Sequence, residues 1–405
     1  MEIRSLTLFT TPDQNLSAAS SLFEAAASQF DVPLQSHRVA FAPFPDWWNE
    51  REVAPGQATR LVARWQDVGA DYLCLGPVQL RHDARWLEML PEILGAGGAL
   101  FASAEVADTQ GRIDTARCAA VSRLIREASQ ITADGFGNLY FTALANCPPG
   151  SPFFPVAYQQ PGGKPSFALA LEAADLALAA FHAANSLQEA RQNLVSAIES
   201  QAHRLQEATE DLARNEGIAF AGIDFSLAPF PHQARSLAGA LEALGPAHVG
   251  APGSFFAAAF ITEALDRARF QRCGFSGLML PVLEDAVLAR RAAERRVTVN
   301  DLLGLAALCG VGLDTIPLPG DIPEDVLAGI LLDVAALATR LDKPLTARLM
   351  PMPGLAAGDA VRFDFPYFAN SGVMNVASTG ILGPMGHGES IDLLSLRERN
   401  ERHGR

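Results

Sequence analysis

The sequence predicts an α/β protein, and three observations carry that prediction. Short apolar runs alternate with longer amphipathic segments in both halves of the chain, the signature of βα repetition. Of the 405 residues 49% are hydrophobic and 19% charged, enough to build a substantial core. Finally, four apolar, strand-like runs carry polar or charged residues and end near Pro or Gly: Gly222-Ile-Asp224-Phe-Ser226-Leu-Ala-Pro229, Gly277-Leu-Met-Leu-Pro281-Val-Leu-Glu284-Asp285, Gly310-Val-Gly312-Leu-Asp314-Thr-Ile-Pro317 and Leu345-Thr346-Ala-Arg348-Leu-Met-Pro351. Ions are rarely left unpaired in an apolar interior, so these runs predict one shared polar pocket where Asp224, Glu284, Asp285, Asp314 and Arg348 meet.

In chain order, strands are expected near Ile3–Phe9, His37–Ala42, Asp71–Gly76, Ala99–Val106 and Asn138–Asn146, separated by helices near Gln14–Phe30, Gln57–Val68, Ala84–Leu94 and Ile113–Thr132. The last of these strands stops at Cys147-Pro-Pro-Gly150, and the Ser-Pro-Phe-Phe-Pro155 that follows continues neither strand nor helix, which predicts a rigid, extended loop. Between Phe167 and Asn215 the pattern reads as helix alone. Its second part opens on the capping box Ser186-Leu-Gln-Glu189 and carries Leu187, Leu194, Ile198, Leu205 and Leu212 at heptad spacings, fitting either a dimerisation arm or a helix packed on the chain's own flank. Strands resume near Ile218–Ser226, Gly277–Val282, Gly312–Leu318, Leu345–Met350 and Val373–Ala377, with a helix at the capping box Thr298-Val-Asn-Asp301 among those between them. About ten strands divided by a helical stretch fit an eight-stranded barrel, a ten-stranded barrel or two doubly wound domains.

A net charge of −14 and a pI near 5.0 argue against nucleic acid and against an anionic membrane as partners. No apolar run reaches the length of a membrane span, and Met1-Glu-Ile-Arg-Ser-Leu lacks the features of a signal peptide. Five widely spaced cysteines with no Cys-x-x-Cys pair fit reduced thiols, and the location expected is cytoplasmic.

Ligand sites of α/β proteins lie at the carboxyl ends of parallel strands, which singles out Asn146, Cys147, Glu284, Asp285, Asp314 and Arg348. Asp224, with Ser226 on the same face and His232 just beyond, is either a functional carboxylate or a turn cap. Glu284 and Asp285 precede a helical run, so they either complement its positive end or form an acid/base or metal-binding pair. Arg348 is either an anchor for an anionic substrate or the salt-bridge partner of Asp314 or Asp224. Cys147 and Cys309 have no adjacent base, and a buried thiol usually acts as a small hydrophobe. No histidine pair has metal-ligand spacing, and P-loop, Gly-x-Gly-x-x-Gly and Gly-x-Ser-x-Gly motifs are absent.

At Asn146-Cys-Pro-Pro-Gly-Ser-Pro-Phe-Phe-Pro155, Gly222 to Pro229, Gly274 to Asp285, Cys309-Gly-Val-Gly-Leu-Asp-Thr-Ile-Pro-Leu-Pro-Gly-Asp321 and Ala347-Arg-Leu-Met-Pro-Met-Pro-Gly354, the chain resembles the family called domain of unknown function 711, as a divergent branch of uncharacterised protein family 0210. The resemblance implies an α/β barrel of ten strands similar to the pyruvate formate-lyase-like fold, with residues 1–165 as a first half, 166–216 as a helical insertion, 217–390 as a second half and 391–405 as a charged tail. It does not imply glycyl radical chemistry, because the end of the chain has no Arg-x-x-Gly-Tyr context around Gly380. Two functions are therefore expected as alternatives. One is a small-molecule enzyme using strand-end carboxylates, directly or through a divalent cation, on an anionic substrate; the other is a metabolite-binding or regulatory protein, and either could be a homo-oligomer.

Overall fold

The computed structural model describes the whole chain except residues 15, 50–53, 309, 378, 382 and 403–405. Its centre is an 11-stranded mixed sheet. The strands are β1 (Glu2–Phe9), β2 (His37–Ala40), β3 (Tyr72–Val78), β4 (Leu100–Ala107), β5 (Arg112–Asp114), β6 (Phe141–Ala145), β7 (Ser166–Glu172), β8 (Ala219–Ala228), β9 (Gly312–Pro319) and β10 (Leu345–Met352). A small pair, β11 (Ala360–Val361) and β12 (Ser371–Gly372), stands apart, and β13 (Ser390–Asp392) joins the main sheet through β5. The main path runs β8-β7-β1-β2-β3-β4-β6-β10-β9.

Strand direction along this path positions everything that follows. β1, β2, β3, β4 and β6 are mutually parallel, whereas β7 and β10 run antiparallel to their neighbours β1 and β6 and parallel to β8 and β9. Leu345 pairs with Ala145, so the later part of β10 lies beside the start of β6. The amino ends of the first five strands therefore share an edge of the sheet with the carboxyl ends of the later ones.

Alternation fixes the two faces of this sheet. Leu6, Leu8, Val39, Leu73, Leu75, Ala102, Phe167, Leu169, Ile223, Phe225, Leu313, Leu345 and Leu349 join the main core with residues from the flanking helices. The other face carries Ser5, Thr7, Ser103, Glu105, Thr142, Asp224, Ser226, Thr346 and Arg348, all buried. Against it lies the loop 148–159, of which 151–159 are buried. Its prolines remove backbone donors, and its buried carbonyls are met from the sheet: the Thr7 hydroxyl donates to Pro152 O (2.9 Å) and the Cys74 thiol to Pro155 O (3.3 Å). The extended loop expected from the sequence is thus an internal plug.

Three expectations are corrected. The stretch from Phe167 is not helix alone, because Ser166–Glu172 is β7; its Phe-Ala-Leu-Ala-Leu run is buried on both faces, and such a run has no period that separates strand from helix. The strand expected at Gly277–Val282 forms no ladder. The strand-type pairing of residues 271–284 with β8 and β9 is limited to the isolated parallel bridges Ile223↔Arg272 and Pro281↔Asp314, since Pro281 lacks a donor and Gly274 and Ser276 take positive φ (59° and 41°). The ladders among the described residues consequently form an open path. Nor is there a strand at Val373–Ala377, only the two-residue β12 just before it.

The heptad residues Leu194, Ile198, Leu205 and Leu212 are buried within the chain, where the helix Leu187–Glu216 packs on the helices Ala174–His182, Ser254–Arg267 and Leu16–Gln29. Those four residues pack on the chain's own flank, while Leu187, at the start of the helix, is 46% exposed. No helix among the described residues is long and apolar enough to cross a membrane.

Candidate functional site

Where the two sets of strand ends meet, four charged side chains form a chain of ion pairs. Arg348, on the polar face of β10, donates from Nε to Asp314 Oδ1 (2.6 Å) and from Nη2 to Glu284 Oε1 (2.8 Å), and Arg4 of β1 donates to the other oxygen of Glu284. Arg348, Glu284 and Asp314 are at most 8% exposed at their side chains. Burial would push the Glu284 carboxyl up, but Arg4 and Arg348 overcome it and hold it below the usual carboxylate range. Asp314, with Arg348 as its one ion-pair partner, is pushed up by burial.

Arg4, Glu284 and Arg348 of this chain floor a cavity of about 190 Å³ walled by aromatic rings. The rings connect edge to face: Tyr72 with Phe101 (5.7 Å between centroids), Phe101 with Phe154 (5.3 Å) and Tyr140 (5.2 Å), Tyr140 with Phe136 (5.9 Å), Phe136 with Phe365 (5.0 Å). Tyr367 extends the row beyond Phe365. The hydroxyls of Tyr72, Tyr140 and Tyr367 have no hydrogen-bond partner among the described residues. Phe154, at the tip of the plug, separates this cavity from a second void of about 30 Å³, bounded by Thr142, Thr346 and Asp314 and large enough for about one water.

Arg38 also lines the cavity, and it differs from the other two arginines. Its Nε donates to Ser36 Oγ (3.0 Å) and its guanidinium lies 5.2 Å from the centre of the Phe154 ring and 5.7 Å from that of Tyr72, but no carboxylate among the described residues pairs with it. Burial, and then the neighbouring Arg4, push its pKa down from the ordinary arginine value to about 9, which still leaves it cationic at neutral pH. Of the carboxylates at the cavity, Glu284 is held by two arginines, while Asp71, exposed at the rim, accepts from the backbone N–H of His37 (2.8 Å); Asp314, paired with Arg348, lies behind against the smaller void.

Of the residues singled out from sequence, the structure brings together Glu284, Asp314 and Arg348 and leaves the rest elsewhere. Asp224 is fully buried but closes the 273–277 turn, accepting from the Ser226 hydroxyl, Phe275 N (2.8 Å) and Ser276 N (2.9 Å). A Cβ on Gly274 would stand 2.1 Å from that carboxylate, so the turn needs glycine. Asp285 caps two helices at once, accepting from Val287 N (2.9 Å), Leu288 N (3.0 Å), Ser236 Oγ (2.5 Å) and Ala238 N (2.9 Å). His232 is an exposed cap on its own turn, its ring accepting from Ala234 N (3.3 Å).

Asn146 and Cys147 follow β6, at the carboxyl end of the first strand set and thus at the opposite end of the sheet. Asn146 borders a surface cleft with Asp342 and Arg397; Cys147 packs among Leu144, Phe153, Val156 and Met279, where burial pushes its thiol up. A cysteine in that setting is a small hydrophobe. Cys309 lies outside the described residues. Arg348 fills the space between Glu284 and Asp314 that a divalent cation would need, so these two do not suit a metal centre.

Asp224 carries a pH prediction. Burial raises its pKa to about 6, above its unfolded value near 3.8, so the folded state holds the extra proton between those values. Its contribution to stability is then present below about pH 4 and is lost as pH rises through about 6, by about 3 kcal/mol at most. Urea unfolding at intervals from pH 4 to 7 should show this fall, and Asp224→Asn should flatten it. A stability that rises across the same window in the wild type and is insensitive to the substitution would contradict the assignment.

Sequence reasoning missed Arg4, Arg38 and the aromatic wall. Arg4 and Arg38 each lie in the polar start of a strand, which the carboxyl-end rule excluded.

Fold and site define an α/β protein with an arginine-rich, aromatic-walled pocket at the junction of two opposed strand sets. The chain belongs to the family described as Uncharacterised ACR (DUF711), whose model matches residues 7–370. It is similar to UPF0210 proteins: 39% identical over 231 residues to that of Pyrobaculum arsenaticum (54% of this chain and 50% of the relative), 34% over 289 residues to that of Pyrobaculum islandicum (69% and 63%), and 29% over 356 residues to that of Methanopyrus kandleri (83% and 78%). The match to Pyrobaculum arsenaticum thus spans half the length of that relative.

Proposed function

We propose that the cavity binds a small organic anion and that Arg38 receives it. The carrying observation is that, among the described residues, Arg38 is the cavity arginine without a carboxylate partner, in a site whose buried carboxylate is held by other arginines. A half-buried, unmatched cation is costly, and a bound anion supplies the missing charge-assisted hydrogen bonds. The two functions expected from sequence separate here. Acid/base catalysis by Glu284 or Asp314 needs a carboxylate free to reach a substrate, and both are locked to arginines, which favours metabolite binding over carboxylate catalysis. A thermal-shift screen of small carboxylates, sulfonates and phosphates is the direct test. A ligand at a hundred times its Kd should add about 2.7 kcal/mol of stability. Failure of every anion to stabilise the protein, or equal stabilisation of Arg38→Met, would remove the reading.

The same reading takes residues 271–284 as the stave that closes the sheet, giving ten staves in two halves around the plug. Ile223 N donates to Gln271 O (2.8 Å), Cys273 N to Ile223 O (3.1 Å) and Val282 N to Asp314 O (3.0 Å), so both sheet edges find partners in this one segment. Hydrogen exchange should protect the Cys273 and Val282 amides as strongly as those of β9. Exchange on the timescale of an exposed loop would leave the sheet open.

A further inference from the structure

We infer that the anion is a monocarboxylate carrying a planar aromatic ring, with the carboxylate on Arg38 and the ring against the aromatic wall. The inference rests on the anion-binding reading above and adds the class of ligand. Three observations carry it.

The first is charge. Arg4, Arg348, Glu284 and Asp314 form a neutral chain of two cations and two anions, Arg38 adds a single positive charge inside the cavity, and the negative charge of Asp71 lies exposed at the rim, where solvent screens it. The nearby Glu172 is already matched, accepting from Arg235 and from the Gln35 amide (2.9 Å). One unmatched cation fits a monoanion. A phosphomonoester would leave an uncompensated negative charge beside Glu284.

The second is the wall. Seven aromatic rings border the cavity, six of them joined by edge-to-face contacts and Tyr367 tilted against Phe365, and Arg38 sits over two of them, Tyr72 and Phe154. A carboxylate bound by Arg38 brings a ring attached to it within reach of these side chains. The third is size. About 190 Å³ lies below the usual range for drug-sized ligands, which suits a single ring.

The test is calorimetry of the full chain with four probes: benzoate, cyclohexanecarboxylate, phenyl phosphate and acetate. Benzoate and cyclohexanecarboxylate share charge and approximate size and differ in aromaticity. Benzoate is expected to bind about three- to tenfold more tightly than cyclohexanecarboxylate, with phenyl phosphate and acetate weaker still. Phe101→Leu should remove the preference for benzoate while keeping the carboxylate requirement; if that variant does not fold, Phe365→Leu, on the half-buried side of the wall, serves instead.

Equal binding of the ring and its saturated counterpart would overturn the aromatic assignment and leave anion binding intact. Preference for phenyl phosphate would overturn the monoanion assignment alone. Binding of none of the four, together with a hit from another anion class in the thermal-shift screen, would overturn this inference but not the reading beneath it. Binding of none with no hit at all would sink both.

Discussion

Arg348→Met is expected to destabilise the protein by about 3–5 kcal/mol, the cost of removing one partner from a buried ion pair. Both oxygens of Glu284 are engaged, and it would keep Arg4, but Asp314 would lose its one ion-pair partner in a position that is 6% exposed. Methionine matches the aliphatic stem, so little of the loss comes from packing. The uncompensated carboxylate is the cause, and this can be checked. Arg348→Met with Asp314→Leu leaves no orphaned charge at Asp314 and should recover much of the stability, in a urea unfolding series with matched slopes. A loss under about 1 kcal/mol for the single change would mean that the pair behaves as a surface salt bridge.

Arg38→Met is expected to act in the opposite direction on the free protein. Here the arginine has no carboxylate to orphan; the change gives up one hydrogen bond to Ser36 and two cation–π contacts, each worth about 0.5–1 kcal/mol, and removes the desolvation of an unmatched cation. Thermal stability should stay level or rise without ligand, while anion affinity falls by about a hundredfold or more. Binding sites commonly trade stability for function in this way. Two arginines facing one cavity would thus respond to the same substitution with opposite signs, one supporting the fold and the other serving the ligand. Should Arg38→Met cost as much stability as Arg348→Met, Arg38 is a structural residue and the proposal loses its main support.

The convergence of Glu284, Asp314 and Arg348 was legible in the sequence, because each is a charge embedded in an apolar strand-like run and no such charge can be buried alone. The same logic over-reached for Asp224 and Asp285. A buried carboxylate is satisfied as well by backbone N–H groups as by arginine, and short-range capping cannot be told from long-range pairing before the chain folds. The rule placing sites at strand carboxyl ends failed for Asn146 and Cys147 and hid Arg4 and Arg38, since it assumes a single strand direction.

The sequence by itself determined the α/β class, most strands and helices, the rigid Pro-rich loop and the family, all of which rest on local periodicity, on residues that restrict the backbone and on motif resemblance. Only the tertiary structure decided that two strand sets run in opposite directions, that the loop turns inward, and which arginine lacks a partner. Those properties arise from pairing between residues as distant as Arg4 and Glu284. Nothing local in the chain encodes which of several equally charged side chains will be left over when the sheet assembles.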